Sequence, residues 1–141
     1  MTDAIISIRS VQPDPGVPEQ FEFITAGKYG FENGECRLIY EESDVTGLDG
    51  VRTTFNVSPE RVVLKREGSL NTEMIFQEGQ KNFFLYNTPF GSATMGIDTR
   101  SIDSTLGEHG GALVLDYAVD MNHTPLGKNK FTISVRESNY V

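Results

Sequence analysis

Residues 113–121 read Leu-Val-Leu-Asp-Tyr-Ala-Val-Asp-Met, with Leu113, Leu115, Tyr117, Val119 and Met121 apolar at every odd position. A period of two marks a strand with one face in a core and the other toward water; a helix would repeat its apolar positions every three or four residues. The same alternation places Phe131, Ile133 and Val135 on one side of a last strand, with Lys130, Thr132, Ser134 and Arg136 on the other. Val51, Thr53, Phe55 and Val57 share a face, and Cys36, Leu38 and Tyr40 lie opposite Glu35, Arg37 and Glu41. Extended along the chain, the pattern predicts ten strands near residues 4–11, 20–30, 35–42, 51–58, 61–67, 71–77, 81–88, 92–104, 111–122 and 126–138. No window of ten residues reads as an amphipathic helix.

The connections are short and have turn chemistry. Asn33-Gly34 fits a tight hairpin with positive φ, and Ser58-Pro59-Glu60, Glu67-Gly68-Ser69 and Glu78-Gly79-Gln80 are further turns; residues 12–18 form a loop. Short turns make consecutive strands antiparallel neighbours. Ten of them in one meander would expose two edges unless the sheet closes, so the expected fold is all-β, a single antiparallel barrel of about ten strands spanning residues 1–141 as one domain. The apolar positions shift from Met95 and Ile97 to Ile102, and Gly96 is the expected site of the bulge or bend responsible. The segment Lys81-Asn82-Phe83-Phe84-Leu85-Tyr86 is apolar on both faces, as suits a central strand or one that carries a ligand or partner on its second side.

Composition narrows the partners. With 12 Lys and Arg against 20 Asp and Glu the net charge is −8, and no basic face is visible, so nucleic acid and anionic membrane surfaces are not expected partners. At 141 residues about two-thirds of the chain's surface can be buried, enough for a core without disulfide or metal. Cys36, the one cysteine, has no internal partner and no nucleophile or metal-ligand motif around it, which predicts a reducing cytoplasm. The amino terminus has neither a basic n-region nor an apolar run long enough for a signal peptide or span. Asn56-Val57-Ser58 and Asn122-His123-Thr124 fit the glycosylation triplet, but each is followed by proline and both are read as accidents.

Several short segments, in their order and spacing, resemble the YwiB-like family of bacterial proteins. They are Gly47-Leu48-Asp49-Gly50-Val51-Arg52-Thr53-Thr54, then Val62-Val63-Leu64-Lys65-Arg66-Glu67-Gly68 with Met74-Ile75-Phe76, then Tyr86-Asn87-Thr88-Pro89-Phe90-Gly91, and finally Gly110-Gly111-Ala112-Leu113-Val114-Leu115-Asp116-Tyr117. The resemblance covers nearly the whole chain and implies a calycin-type, lipocalin-like barrel with an interior. It carries no activity and no functional residues.

Among candidate site residues Arg66 stands first, because it shares a face with Val62 and Leu64. A guanidinium among apolar neighbours needs a partner, and at a barrel mouth it could hold a carboxylate or phosphate with two parallel hydrogen bonds. The structural alternative pairs it with Glu42, which follows Tyr40 in parity, or lets it reach water. Tyr40, Tyr86 and Phe83 or Phe84 are the expected wall of a ligand site, with Phe90 at its rim; the plainer reading of the Tyr86–Gly91 segment is a hairpin turn with core aromatics. His109 and His123 sit in turns without metal-ligand spacing, and the acidic residues Glu41, Glu42, Asp44 and Asp49 lack the pattern of a calcium loop. No metal and no cofactor is expected. The hydrolase elbow, the zinc-protease helix, the phosphate loop and the dinucleotide fingerprint are all missing, although a carboxylate pair of the glycosidase kind leaves no trace in sequence. The expectation is therefore a non-catalytic barrel that binds a small apolar or anionic molecule. The alternative is an interaction module that forms a homodimer or docks a partner protein through the outer face of residues 81–88 or an unclosed edge.

Overall fold

Alternation and turn chemistry are realised in ten strands. In a computed structural model of the protein, residues 1–12, 19–42, 50–69, 71–88 and 91–138 are described. The strands are β1 (Thr2–Gln12), β2 (Glu19–Glu32), β3 (Glu35–Glu41), β4 (Val51–Val57), β5 (Val62–Gly68), β6 (Thr72–Phe76), β7 (Lys81–Thr88), β8 (Gly91–Ser104), β9 (Gly110–Met121) and β10 (Thr124–Glu137). All pair antiparallel in one sheet of order β6-β5-β4-β3-β2-β1-β10-β9-β8-β7, so the first and last strands lie side by side in its middle. At the β2–β3 hairpin Asn33 and Gly34 have φ of 54° and 77°, the two left-handed residues of a two-residue turn that matches strand twist. Among the described residues no helix is long and apolar enough to cross a membrane.

The sheet curls into a nearly closed barrel whose inward residues fill its middle. Ile6, Tyr29, Leu38, Phe55, Phe76, Ile97, Leu113, Leu115 and Ile133 are fully buried. An aromatic chain runs through the core: Phe23 to Tyr40 at 6.4 Å, Tyr40 to Phe55 at 6.5 Å and Phe55 to Phe131 at 6.0 Å between ring centroids. Phe76 meets the edge of Tyr117 at 5.0 Å. The ladder stops at β6 and β7, which do not pair although only four residues separate them. The intervening turn spends its backbone bonds on β8 instead: Gly79 N donates to Thr99 O (2.9 Å) and Thr99 N donates to Gln80 O (3.1 Å). The seam is thus closed by side chains, among them Phe76, Met74 and Phe84. Strand β7 is consequently an edge strand, which removes the central position as the reason for its two apolar faces.

The expected bulge exists but not at Gly96. That residue pairs regularly with Phe83 and Asp120, and the register shifts instead between Thr99 and Ser101, so Arg100 is the extra residue. Arg100 is what turns Ile102 back to the inner face, opposite Leu115. Gly96 has a different purpose. A Cβ there would lie 2.6 and 2.8 Å from the Asp120 carboxylate oxygens and 2.8 Å from Lys81 Cε, so the bare backbone makes room for the Lys81–Asp120 ion pair that crosses it.

Candidate functional site

Strand register assembles the site. Gly27, Tyr40, Thr53, Arg66 and Thr72 are successive Cα partners across β2, β3, β4, β5 and β6, which puts five side-chain positions in one row on the inner face. A Cβ at Gly27 would come within 2.4 Å of Ile39 O and 2.5 Å of Ile6 Cδ1, so the row begins where a side chain does not fit. Tyr40 and Thr53 are buried, and Arg66 is partly buried beside Leu64. Glu42, two residues beyond Tyr40, turns into the same region and is buried.

The two charges in this region are treated differently. The Glu42 carboxylate accepts from Thr53 Oγ1 (2.7 Å) and from the Tyr40 hydroxyl. No carboxylate among the described residues ion-pairs with Arg66, and its Nε–H is buried without an acceptor. The Glu42–Arg66 bridge expected as a structural alternative is therefore not formed; Glu42 faces hydroxyl donors instead. Among the described residues two other buried hydroxyls also lack partners, Thr72 beside Arg66 in the row and Thr99, the Cα partner of Tyr117. Such orphans are uncommon in folded proteins, and each costs about 1–3 kcal/mol when left without a partner.

Tyr117 approaches from β9 on the opposite wall. Its hydroxyl oxygen accepts from the Asn129 side chain, its Cα partner on β10. Burial raises the pKa of both Tyr40 and Tyr117. For Tyr40 the negative charge of Glu42 adds to this, and for both phenols the Arg66 charge works against it. Tyr29 is raised as well, by burial and by its bond to Cys36, and its hydroxyl donates to Gly107 O at 2.5 Å. All three phenols are neutral hydrogen-bonding groups at neutral pH.

The sign of these shifts makes a prediction. Above the ordinary phenol value of 10.0, the folded chain retains protons that the unfolded chain releases. Stability that is complete below about pH 10 therefore falls as pH rises through and beyond it. Urea unfolding followed from pH 8 to about 11 should show a midpoint that drops steeply at the alkaline end, with tyrosinate absorbance from these residues appearing only on unfolding. A chain that keeps its folded spectrum while the three phenols ionise would contradict their placement.

The expected wall divides by parity. Tyr40 lies in the row itself, Phe84 packs against the core from β7, and Tyr86 is on the same side of its strand but 36 % exposed. Phe83 points outward, 54 % exposed, with Lys81 Nζ 5.3 Å above its ring and His123 against its edge. Phe90 lies outside the described residues, as do Asp44 and Asp49 of the acidic segment. His109 makes a polar contact with Glu137 (3.2 Å) at the surface. Thr53, Thr72, Thr99, Tyr117 and Asn129 escaped the sequence reading. Parity already placed Thr53 and Tyr117 on inward faces, without marking them as site residues, and extends to Thr72, but the approach of Tyr117 to Arg66 depends on how the barrel curls.

A groove of about 610 Å³ lies elsewhere, on the outer face. Its floor runs along Gly30, Arg37, Asn56 and Val63, with Arg61 and Glu32 at its sides. None of its lining side chains is buried and lacking a partner. Unmet hydrogen bonding lies at the row and not in this groove, whose open polar trough is satisfied by water.

Comparison with known proteins agrees with this architecture. The family described as "Domain of unknown function (DUF1934)" matches residues 6–133. The chain is 32 % identical over 117 residues to the "Uncharacterized beta-barrel protein YwiB" of Bacillus subtilis (strain 168), covering 82 % of this chain and 80 % of that one. The crystal structure of the ywiB protein from Bacillus subtilis superimposes with a TM-score of 0.82 at 28 % identity, over 98 % of this chain and 93 % of the other.

Proposed function

The chain belongs to the DUF1934 family of β-barrel proteins, and from that premise and the chemistry of its lumen we propose that it is a non-catalytic binding protein of the cytoplasm, holding a small molecule at the inward polar row. One observation carries this reading: Arg66 turns toward the lumen with a buried Nε–H that nothing among the described residues accepts. A guanidinium so placed supplies a strong, directional bond to an incoming oxygen atom. The aromatic rings that fill the barrel restrict the ligand to a small molecule beside the row, not a long chain threaded through the middle.

The test is native mass spectrometry of untagged protein purified gently from its own host, set against the denatured sample. A discrete mass lost on denaturation is expected. Arg66→Ala should weaken retention of that molecule about 10- to 100-fold, the range of a charge-assisted bond of roughly 1.5–3 kcal/mol. Its melting temperature should be unchanged or slightly higher, because the substitution orphans no partner. Undiminished occupancy in Arg66→Ala would remove the residue from this role.

A second reading rests on the outer face of β7, where Phe83 and Leu85 are 54 % and 65 % exposed. Residues 82–88 contain no charged side chain, so two copies of this edge can meet antiparallel without like-charge repulsion. Sedimentation should then show a dimer that Leu85→Glu dissociates; a monomer at all concentrations would exclude it.

A further inference from the structure

We propose that the ligand class is a small zwitterion, of the kind represented by a free amino acid, with its carboxylate on Arg66 and its ammonium on Glu42. This deepens the binding reading above and depends on it. The geometry supplies one cation and one carboxylate within the same lumen region, held apart instead of paired. Thr53 stands between them: it is the Cα partner of Arg66 and donates to Glu42 at 2.7 Å. Tyr40, next in the row, lies within the field of both charges.

Opposite charges in a low-dielectric interior gain by closing on each other, and a protein needing only internal neutrality would let them. Here each is held in place by its own strand. Glu42 is fixed by two hydroxyl donors and still has lone-pair capacity, because a carboxylate offers about four acceptor sites. Arg66 has an unused donor, and the Thr72 hydroxyl beside it is unused as well. A simple anion on Arg66 would face the Glu42 charge at short range, and a simple amine on Glu42 would face Arg66. A molecule carrying both groups turns each repulsion into an attraction.

Titration calorimetry with matched probes tests the class directly on the full chain stripped of any bound molecule. Leucine is compared with isocaproate and isoamylamine, and phenylalanine with hydrocinnamate and phenethylamine, so that each set differs only in its charged groups. At least one zwitterion should bind ten-fold or more tightly than both of its single-charge analogues. Glu42→Gln should bring its affinity down to that of the carboxylate, and Arg66→Gln to that of the amine. If either variant fails to fold, the wild-type comparison still decides. A carboxylate binding as tightly as its zwitterion overturns the proposal, as does the absence of saturable binding by both zwitterions. A plain anion found by native mass spectrometry would overturn the zwitterion while leaving the binding function standing; an empty barrel that also ignores every probe would remove both.

Discussion

Replacing Phe55 by alanine lowers the unfolding free energy by about 3–5 kcal/mol, the range found when a fully buried phenylalanine is truncated in a packed core. Phe55 has no exposed surface and occupies the middle of the aromatic chain, between Tyr40 at 6.5 Å and Phe131 at 6.0 Å. It also backs the polar row, since it lies two residues along β4 from Thr53 on the same face. The loss has two parts, the transfer free energy of the ring and the cavity left when neighbours on separate strands cannot close over it. The wall relaxes poorly here because β4 is held by ladders to both β3 and β5, which places the value toward the upper end. Urea unfolding measures it, and an unchanged m-value would show that the loss belongs to the folded state. The result also bears on the lumen. A cost under about 1 kcal/mol would mean that Phe55 already borders empty space, and a barrel that hollow would admit far larger ligands than the row can hold.

Much of this architecture is written locally. Alternation in Leu113–Met121 and Phe131–Val135 depends on one strand at a time, and Asn33-Gly34 encodes its own turn, so all ten strands could be placed without tertiary knowledge. The parity flip of Ile102 was equally legible, but its position was not. Gly96 draws attention because glycine commonly marks bulges, whereas the bulge sits at Arg100 and Gly96 answers to an ion pair brought in from β7 and β9. That pairing is a non-local fact. The same limit governs the site. Arg66 is conspicuous from its parity with Val62 and Leu64, and Tyr40 from its own, but their common row requires the registers of four hairpins to be known together. Phe83 and Phe84 must face opposite ways, and only the sheet's curl decides which is inside. The failure of β6 and β7 to pair was hidden for the same reason, since nothing in Glu78-Gly79-Gln80 says that its backbone will bond to Thr99.

Gly68→Ala should destabilise the protein by on the order of 3 kcal/mol and weaken ligand retention as well. Gly68 ends β5 with φ of 129°, a conformation that side chains rarely adopt. A Cβ there would lie 2.1 Å from Gly50 O and 3.3 Å from Val51 Cα, so the strain is compounded by a backbone contact that no rotamer change relieves. Gly34→Ala is the matched control: its φ is also positive, at 77°, but no atom lies within 4 Å of the added methyl. It should cost only the conformational part, about 1 kcal/mol. The difference between the two variants measures the clash together with the greater backbone strain at φ 129°. Its consequence travels through the ladder, because the carbonyl that must move belongs to the residue just before Val51, the partner of Gly68, and that pair sits two residues from the Thr53–Arg66 pair. A shift of β4 against β5 at this end misaligns the hydroxyl on Glu42 and the guanidinium opposite it. Thermal melts should therefore separate the two glycine variants by the greater part of the clash, and retention of the bound molecule should fall in Gly68→Ala and not in Gly34→Ala. Equal retention in both would show that the ligand contacts do not depend on the register of the row.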